Sequence, residues 1–152
     1  MNLTPNFTLE EMTASETAVR GGIDNTPPAP AFLNLNRLCR ELEKVRSLLG
    51  DRVITITSGY RCQELNKAIG GATASHHMIG LAADFICPAF GSPLDICHKI
   101  AGSEIEYDQL IHEFGVWVHI GFDDNPRCQN LTARRGPDGR TTYDLGHYWM
   151  PA

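Results

Sequence analysis

No stretch of this 152-residue sequence approaches the ~20 consecutive apolar residues that a membrane-spanning helix requires, so no membrane is expected among its partners. Internal repeats, low-complexity tracts and runs of like charge are also missing. Lys and Arg number 13 against 18 Asp and Glu, a formal net charge of -5, so the concentrated basic face of a nucleic-acid binder is lacking. The richest local candidate, Arg134-Arg135 with Arg127 and Arg140, is diluted by Asp138 and Asp144 and reads as a solvated segment; nucleic acid is not an expected partner. Met1-Asn2-Leu3-Thr4-Pro5 has neither the basic region nor the apolar run of a secretory signal, so synthesis in a cytoplasm is expected. The five cysteines form no C-x-x-C pair, which argues against a four-cysteine zinc site and for reduced, partly buried thiols.

What is present suits a globular fold. Hydrophobic residues make up 42% and charged residues 20%, and the length accommodates one domain, 1–152, with a real core. Thr8 with Glu11 three residues later forms a capping box, Phe7 is placed to staple to Met12, and Gly21-Gly22 closes that helix. Thr26-Pro27-Pro28-Ala29-Pro30 reads as an extended connector. Leu35, Leu38, Leu42, Val45 and Leu49 then recur at steps of three and four, predicting an amphipathic helix closed by Gly50.

Val53 to Thr57 alternates and is rich in β-branched residues, predicting a strand. A short helix is expected from Gln63 to Ile69, and a second strand from Leu81 to Cys87 with Ala82, Asp84 and Ile86 on one face. A helix from Pro93 to Ala101 precedes two strands, Asp108 to Phe114 and Val116 to Phe122, which pair as a hairpin about Gly115. From about 123 the chain is expected to be irregular. The sum is an α+β domain: N-terminal helices packed on a small antiparallel sheet.

The densest polar constellation runs from Ser75 to Asp84. His77 lies just before a strand, Asp84 projects from it, and Gly80 between them permits a close backbone approach. His119, on a different strand, is the third candidate. Two imidazoles and one carboxylate suffice to hold a catalytic zinc with a fourth position left for water. Spacing alone favours three unrelated structural side chains over a metal site. The sharper signal is Asp84, a carboxylate between Ala83 and Phe85 in an otherwise apolar strand, which needs a partner: a metal, or Arg61 in a buried ion pair.

These residues also resemble a family. Ser58-Gly59-Tyr60-Arg61, Asn66, Gly70-Gly71, the run S-x-H-x-x-G-x-A-x-D from Ser75 to Asp84, and Trp117-x-His119 stand in the order found in M15 zinc peptidases. These are the D-Ala-D-Ala carboxypeptidases and the related phage L-alanyl-D-glutamate endopeptidases. The resemblance runs from about Phe7 to Arg127. It implies the fold shared by hedgehog signalling domains and these peptidases. It also implies one zinc per chain on His77, Asp84 and His119, with Arg61 polarising the scissile carbonyl and steadying the oxyanion. The implied substrate is a peptidoglycan stem peptide. Length and the missing signal, rather than the resemblance, lead to the expectation of a monomeric phage or prophage endolysin acting on the wall in the host periplasm after release. A cytoplasmic or separately exported remodelling enzyme would look similar.

One family position is altered. Several members carry an acid three residues before the last zinc histidine, where this chain has Val116. Glu113 and His112 are the nearby candidates for general base, and strand alternation lets at most one face the metal. Glu113 is favoured, since a carboxylate is the usual proton shuttle beside a catalytic metal. Asp108 reads as structural. Ser75 either binds substrate or caps a turn, Trp117 either packs in the core or walls the cleft, and His76, His98 and His147 read as surface residues. The segment from Tyr143 to Trp149, with Tyr148, either packs back on the domain or touches substrate, and packing is the favoured reading. The altered position leaves a rival open, a zinc-containing binding or signalling module of the same fold without peptidase activity.

Overall fold

The computed structural model describes residues 1–150. Two short strands, β1 (Asn2–Thr4) and β2 (Phe7–Thr8), pair antiparallel and lead into three helices, α1 (Leu9–Thr13), α2 (Glu16–Gly21) and α3 (Ala29–Leu48). Strand β3 (Thr55–Ser58), helix α4 (Gln63–Ala68), a 3-10 turn at His76–Ile79, strand β4 (Ala82–Ile86) and helix α5 (Pro93–Ala101) follow. The chain then forms strands β5 (Gln109–Glu113), β6 (Trp117–Gly121), β7 (Gln129–Arg135) and β8 (Thr141–Leu145). Among the described residues no helix is long and apolar enough to cross a membrane.

The N-terminal signals act locally. The Thr8 side chain accepts from the Glu11 amide at 3.2 Å, and Glu11 Oε2 accepts from the Thr8 amide at 2.9 Å, which satisfies two otherwise orphaned donors. Phe7 and Met12 are both buried. The expected single helix is two, however. The chain breaks at Ala14, and Ser15 opens α2 by accepting from the Ala18 amide at 3.2 Å. Helix α3 starts earlier than the prolines suggest: Pro28 is its N-cap, and Ala29 and Pro30 belong to its first turn, where a missing N–H costs nothing. Leu35, Leu38, Leu42, Val45 and Leu49 are all fully buried. Each contributes roughly 1.5–3 kcal/mol over an exposed position.

Six strands form one sheet in the order β3-β4-β6-β5-β7-β8. All neighbours are antiparallel except β5 and β7, which run parallel, so the sheet is mixed and larger than the small antiparallel one expected. The stretch read as irregular from about 123 supplies both extra strands. Its polar composition hid them: β8 is almost wholly exposed, and β7 buries only Leu131, Thr132 and Ala133.

Alternation divides the sheet into two unlike faces. Ala83, Phe85, Leu110, Val118 and Ile120 join the α3 and α5 residues Leu35, Leu38, Leu42, Ile96 and Ile100 in the main core. The other face carries Asp84, His119, Ile111, Glu113 and Trp117, with a small apolar patch of Ile111, Leu131 and Ala133 beside Phe114. Helices cover the first face and leave the second as the place where polar side chains collect.

Candidate metal centre

Strand register brings the candidates together. Asp84 of β4 lies directly opposite His119 of β6, and such pairs project from the same side of a sheet. His77 arrives from the 3-10 turn, whose end at Gly80 is left-handed with φ 79°. A Cβ at Gly80 would also stand 2.6 Å from the Ala31 carbonyl, so only glycine lets the turn lie against α3 and deliver His77 to β4. Ser75 accepts from the His77 amide at 3.2 Å and so caps this turn.

His77 Nε2, His119 Nδ1 and Asp84 Oδ1 converge, with separations of 3.2 Å between the two nitrogens and 3.2 and 2.9 Å from each nitrogen to the carboxylate oxygen. All three residues are buried. The second ring nitrogen of His77, Nδ1, lies 2.7 Å from the Gly59 carbonyl, which can only accept, so the ring proton sits on Nδ1. Nε2 of the neutral ring is then a lone pair facing Asp84 Oδ1, two acceptors in contact. A divalent cation between them resolves that conflict, and a nitrogen, nitrogen, oxygen donor set suits zinc. Burial favours the neutral ring further, holding the His77 pKa down. Burial pushes the Asp84 carboxyl up, but the adjoining imidazoles of His77 and His119 outweigh it and hold the group well below the usual carboxylate range.

Arg61 stands beside the cluster, both as the ion-pair partner of Asp84 and as a wall of the cleft. Its Nη2 is 3.5 Å from Asp84 Oδ2, its Nε donates to Ser58 Oγ at 3.2 Å and its Nη1 to Asn66 Oδ1 at 3.1 Å. Asn66, buried, donates in turn to the Ala72 carbonyl at 2.9 Å. The guanidinium is therefore fixed on one edge with donors still turned toward the cluster.

Glu113 and His112 fall on opposite faces, as alternation requires. Glu113 Oε1 is 3.8 Å from His119 Nδ1, and Oε2 accepts the indole N–H of Trp117 at 2.8 Å. Burial first, and then the charge of Asp84, push the Glu113 carboxyl up to about 7. His112 is turned away from the cluster, with Nδ1 3.1 Å from the Tyr148 carbonyl. Trp117 stays out of the main core: it packs edge-on to Phe114 at 5.5 Å and lines the cleft. That cleft, about 930 Å³, is bordered by Arg61, His77, Glu113, Trp117, His119 and Tyr143.

A second group of potential ligands, His76, Asp108 and Asp123, lies nearby. Here the polar groups already have partners: Arg127 Nε and Nη2 donate to Asp108 at 2.9 and 2.8 Å, and His76 Nε2 is 3.2 Å from Asp123. This is an ion-pair network that ties the loop after β6 to the start of β5, the structural role expected of Asp108. All five cysteines are free thiols.

Two comparisons bear on this arrangement. A zinc D-Ala-D-Ala carboxypeptidase of Streptomyces albus G is 35% identical over 79 residues, 52% of this chain, and the chain spans 30% of that protein's length. The sequence model described as peptidase M15 matches residues 5–121, a stretch that includes His77, Asp84 and His119. With well over half of its length matched, this chain belongs to the peptidase M15 family.

Proposed function

We propose that this protein is a zinc-dependent peptidase that hydrolyses the D-residue-containing stem peptides of bacterial peptidoglycan. The observation that carries the reading is the meeting of a buried His77–Asp84–His119 cluster with Glu113 and Arg61 in one open cleft. The substrate class is supported by the kinship with a D-Ala-D-Ala carboxypeptidase.

Zinc held by His77, Asp84 and His119 would supply Lewis acidity to an attacking water and to the scissile carbonyl. The chain's own groups divide the remaining work. Glu113 has one oxygen engaged by Trp117 and the other directed at the cluster, the placement a general base needs to take a proton from water and return it to the leaving amine. Arg61, locked by Ser58 and Asn66, offers a permanent charge to the carbonyl oxygen as negative charge develops there. The hairpin thus restores from β5 the acid that Val116 does not provide, which supports the enzyme over the binding-module rival.

The test is elemental analysis of wild type and His77→Ala, followed by digestion of purified peptidoglycan fragments with products weighed by mass spectrometry. About one zinc per wild-type chain and one new amine per cleaved stem are expected. Zinc-loaded protein that binds fragments without cutting them would favour the binding module. We also propose a finer reading, a lysis enzyme of a phage or prophage; the Ser58–Arg61 and Ser75–Asp84 motifs are compatible with it but are shared by carboxypeptidases and phage endopeptidases alike. Directing the chain to a host periplasm should lyse cells, and cytoplasmic retention should not.

A further inference from the structure

Strand β8 lies outside the residues that the family match covers, 5–121, yet it walls the cleft. Register explains how. Glu113 of β5 is opposite Ala133 of β7, and Ala133 is opposite Tyr143 of β8. The three therefore form one row on the same face of the sheet as His119 and Asp84. Two strand spacings, roughly 10 Å in all, separate the backbones of Glu113 and Tyr143. The residue between them carries only a methyl group, so the tyrosine ring has room to lean across Ala133 toward the carboxylate.

Electrostatics agrees with that placement. Burial first, then the charges of Glu113 and Asp84, raise the Tyr143 pKa, while Arg61 opposes them, so the phenol lies within reach of all three charges. Arg61 follows the strand at one edge of the sheet and Tyr143 sits in the strand at the other, so the two approach the cluster from opposite sides. The hydroxyls of Tyr107 and Tyr148 are engaged by Asn130 and Asp144. Among the described residues the Tyr143 hydroxyl has no such partner, and Tyr143, 55% exposed, is one of the residues that line the cleft.

We propose that Tyr143 is a substrate-binding residue of this site, its phenolic O–H donating to a main-chain carbonyl of the bound peptide from the β8 wall. The inference rests on the peptidase reading above and adds a contact from a segment that the family match does not include. It makes the β7–β8 hairpin part of the binding surface, so the hairpin contributes to which peptides are held.

The test compares wild type, Tyr143→Phe and, as a control on the opposite face of β8, Thr142→Ser. Two quantities are read: the Kd of a peptidoglycan stem peptide on metal-stripped protein by NMR titration, and KM and kcat on the zinc-loaded enzyme. Removing one hydrogen bond to substrate is expected to raise Kd and KM about tenfold in Tyr143→Phe, with kcat changed much less. Thr142→Ser should match wild type, and all three should melt alike. Unchanged Kd and KM in Tyr143→Phe, with wild type active, would overturn the role of Tyr143 and leave the peptidase reading standing. A zinc-loaded wild type that cleaves no fragment would instead remove the reading itself, and the proposal with it.

Discussion

Trp117 donates its indole N–H to Glu113 Oε2 at 2.8 Å, while Glu113 Oε1 stands 3.8 Å from His119 Nδ1. One hydrogen bond thus fixes which oxygen faces the cluster. Trp117→Phe removes the donor and keeps an aromatic ring against Phe114. It is expected to lower kcat about tenfold with zinc content unchanged, since the carboxylate gains a freedom it lacks in wild type. Glu113→Gln, which keeps the shape and loses the base, should cost on the order of 10²-fold or more. Steady-state kinetics beside elemental analysis checks both, and a Trp117→Phe enzyme with wild-type kcat would show that the indole only packs.

Gly71 guards the arginine. A Cβ there would meet Asn66 Oδ1 at 2.1 Å and Arg61 Nη1 at 2.8 Å, and Asn66 is buried and bonded on both sides. Gly71→Ala must therefore displace the very groups that orient the guanidinium. The expected result is a loss of about 1–3 kcal/mol in stability, the usual cost of overpacking. A drop in kcat/KM of at least about tenfold should accompany it, with zinc retained. Urea melts and kinetics on the same preparation separate the two effects.

Much of the fold between Phe7 and Phe122 is legible because its signals are local. The Thr8–Glu11 box, the three-and-four spacing along α3 and the alternation in β4, β5 and β6 each operate within a few residues. Two of the misread helix boundaries are local too, and turn on rules that cut both ways. Proline breaks a helix interior but suits a first turn, and Ser15 starts a helix where the apolar pattern alone runs on. Strands β7 and β8 fail for another reason. β7 pairs parallel to β5 across an intervening loop, so its existence depends on a distant partner, and little in Gln129–Arg135 beyond Leu131 and Ala133 announces a buried face.

The candidate site divides in the same way. His77, Asp84 and His119 stand out through the motifs shared with the M15 peptidases rather than through spacing alone, and a carboxylate in an apolar strand draws notice by itself. The Trp117–Glu113 bond, the Asn66 brace on Arg61 and the approach of Tyr143 all depend on register or on close packing. Such relationships have no sequence signature short of the fold.

The last residues of the described chain are held by histidines. His147 Nε2 lies 2.8 Å from the Leu110 carbonyl and His112 Nδ1 lies 3.1 Å from the Tyr148 carbonyl, while His98 Nε2 is 3.3 Å from the carbonyl of His147. Burial first lowers the pKa of both His112 and His147, against the backbone hydrogen bonds that raise it. A folded-state pKa below the unfolded value of about 6.5 means that the unfolded chain takes up protons first as pH falls. The stability that these two histidines contribute is therefore complete above pH 6.5 and declines below it. Between pH 7 and pH 5.5 the melting temperature of wild type should fall relative to that of His112→Gln, which keeps an amide donor without a titrating group. Equal pH slopes in the two proteins would assign the acid sensitivity elsewhere.

Removing the metal tests the cluster from the opposite direction. The main core lies on the helix-covered face of the sheet, so metal-stripped protein should remain folded. Its three candidate ligands would still be buried together, with Asp84 in contact with both imidazoles and with Arg61. Zinc that binds only the folded state should then stabilise it, by about 4 kcal/mol when free metal exceeds Kd a thousandfold. His77→Ala should behave differently in both conditions. Without metal it leaves the Gly59 carbonyl without its donor and opens a cavity, which should cost about 1–3 kcal/mol. With metal it should gain little, since one of three ligands is gone. Thermal melts of both proteins, stripped and zinc-loaded, give four values. A wild type that gains no stability from zinc would show that the cluster is held together by its own ion pairs, with Arg61 rather than a metal as the partner Asp84 requires.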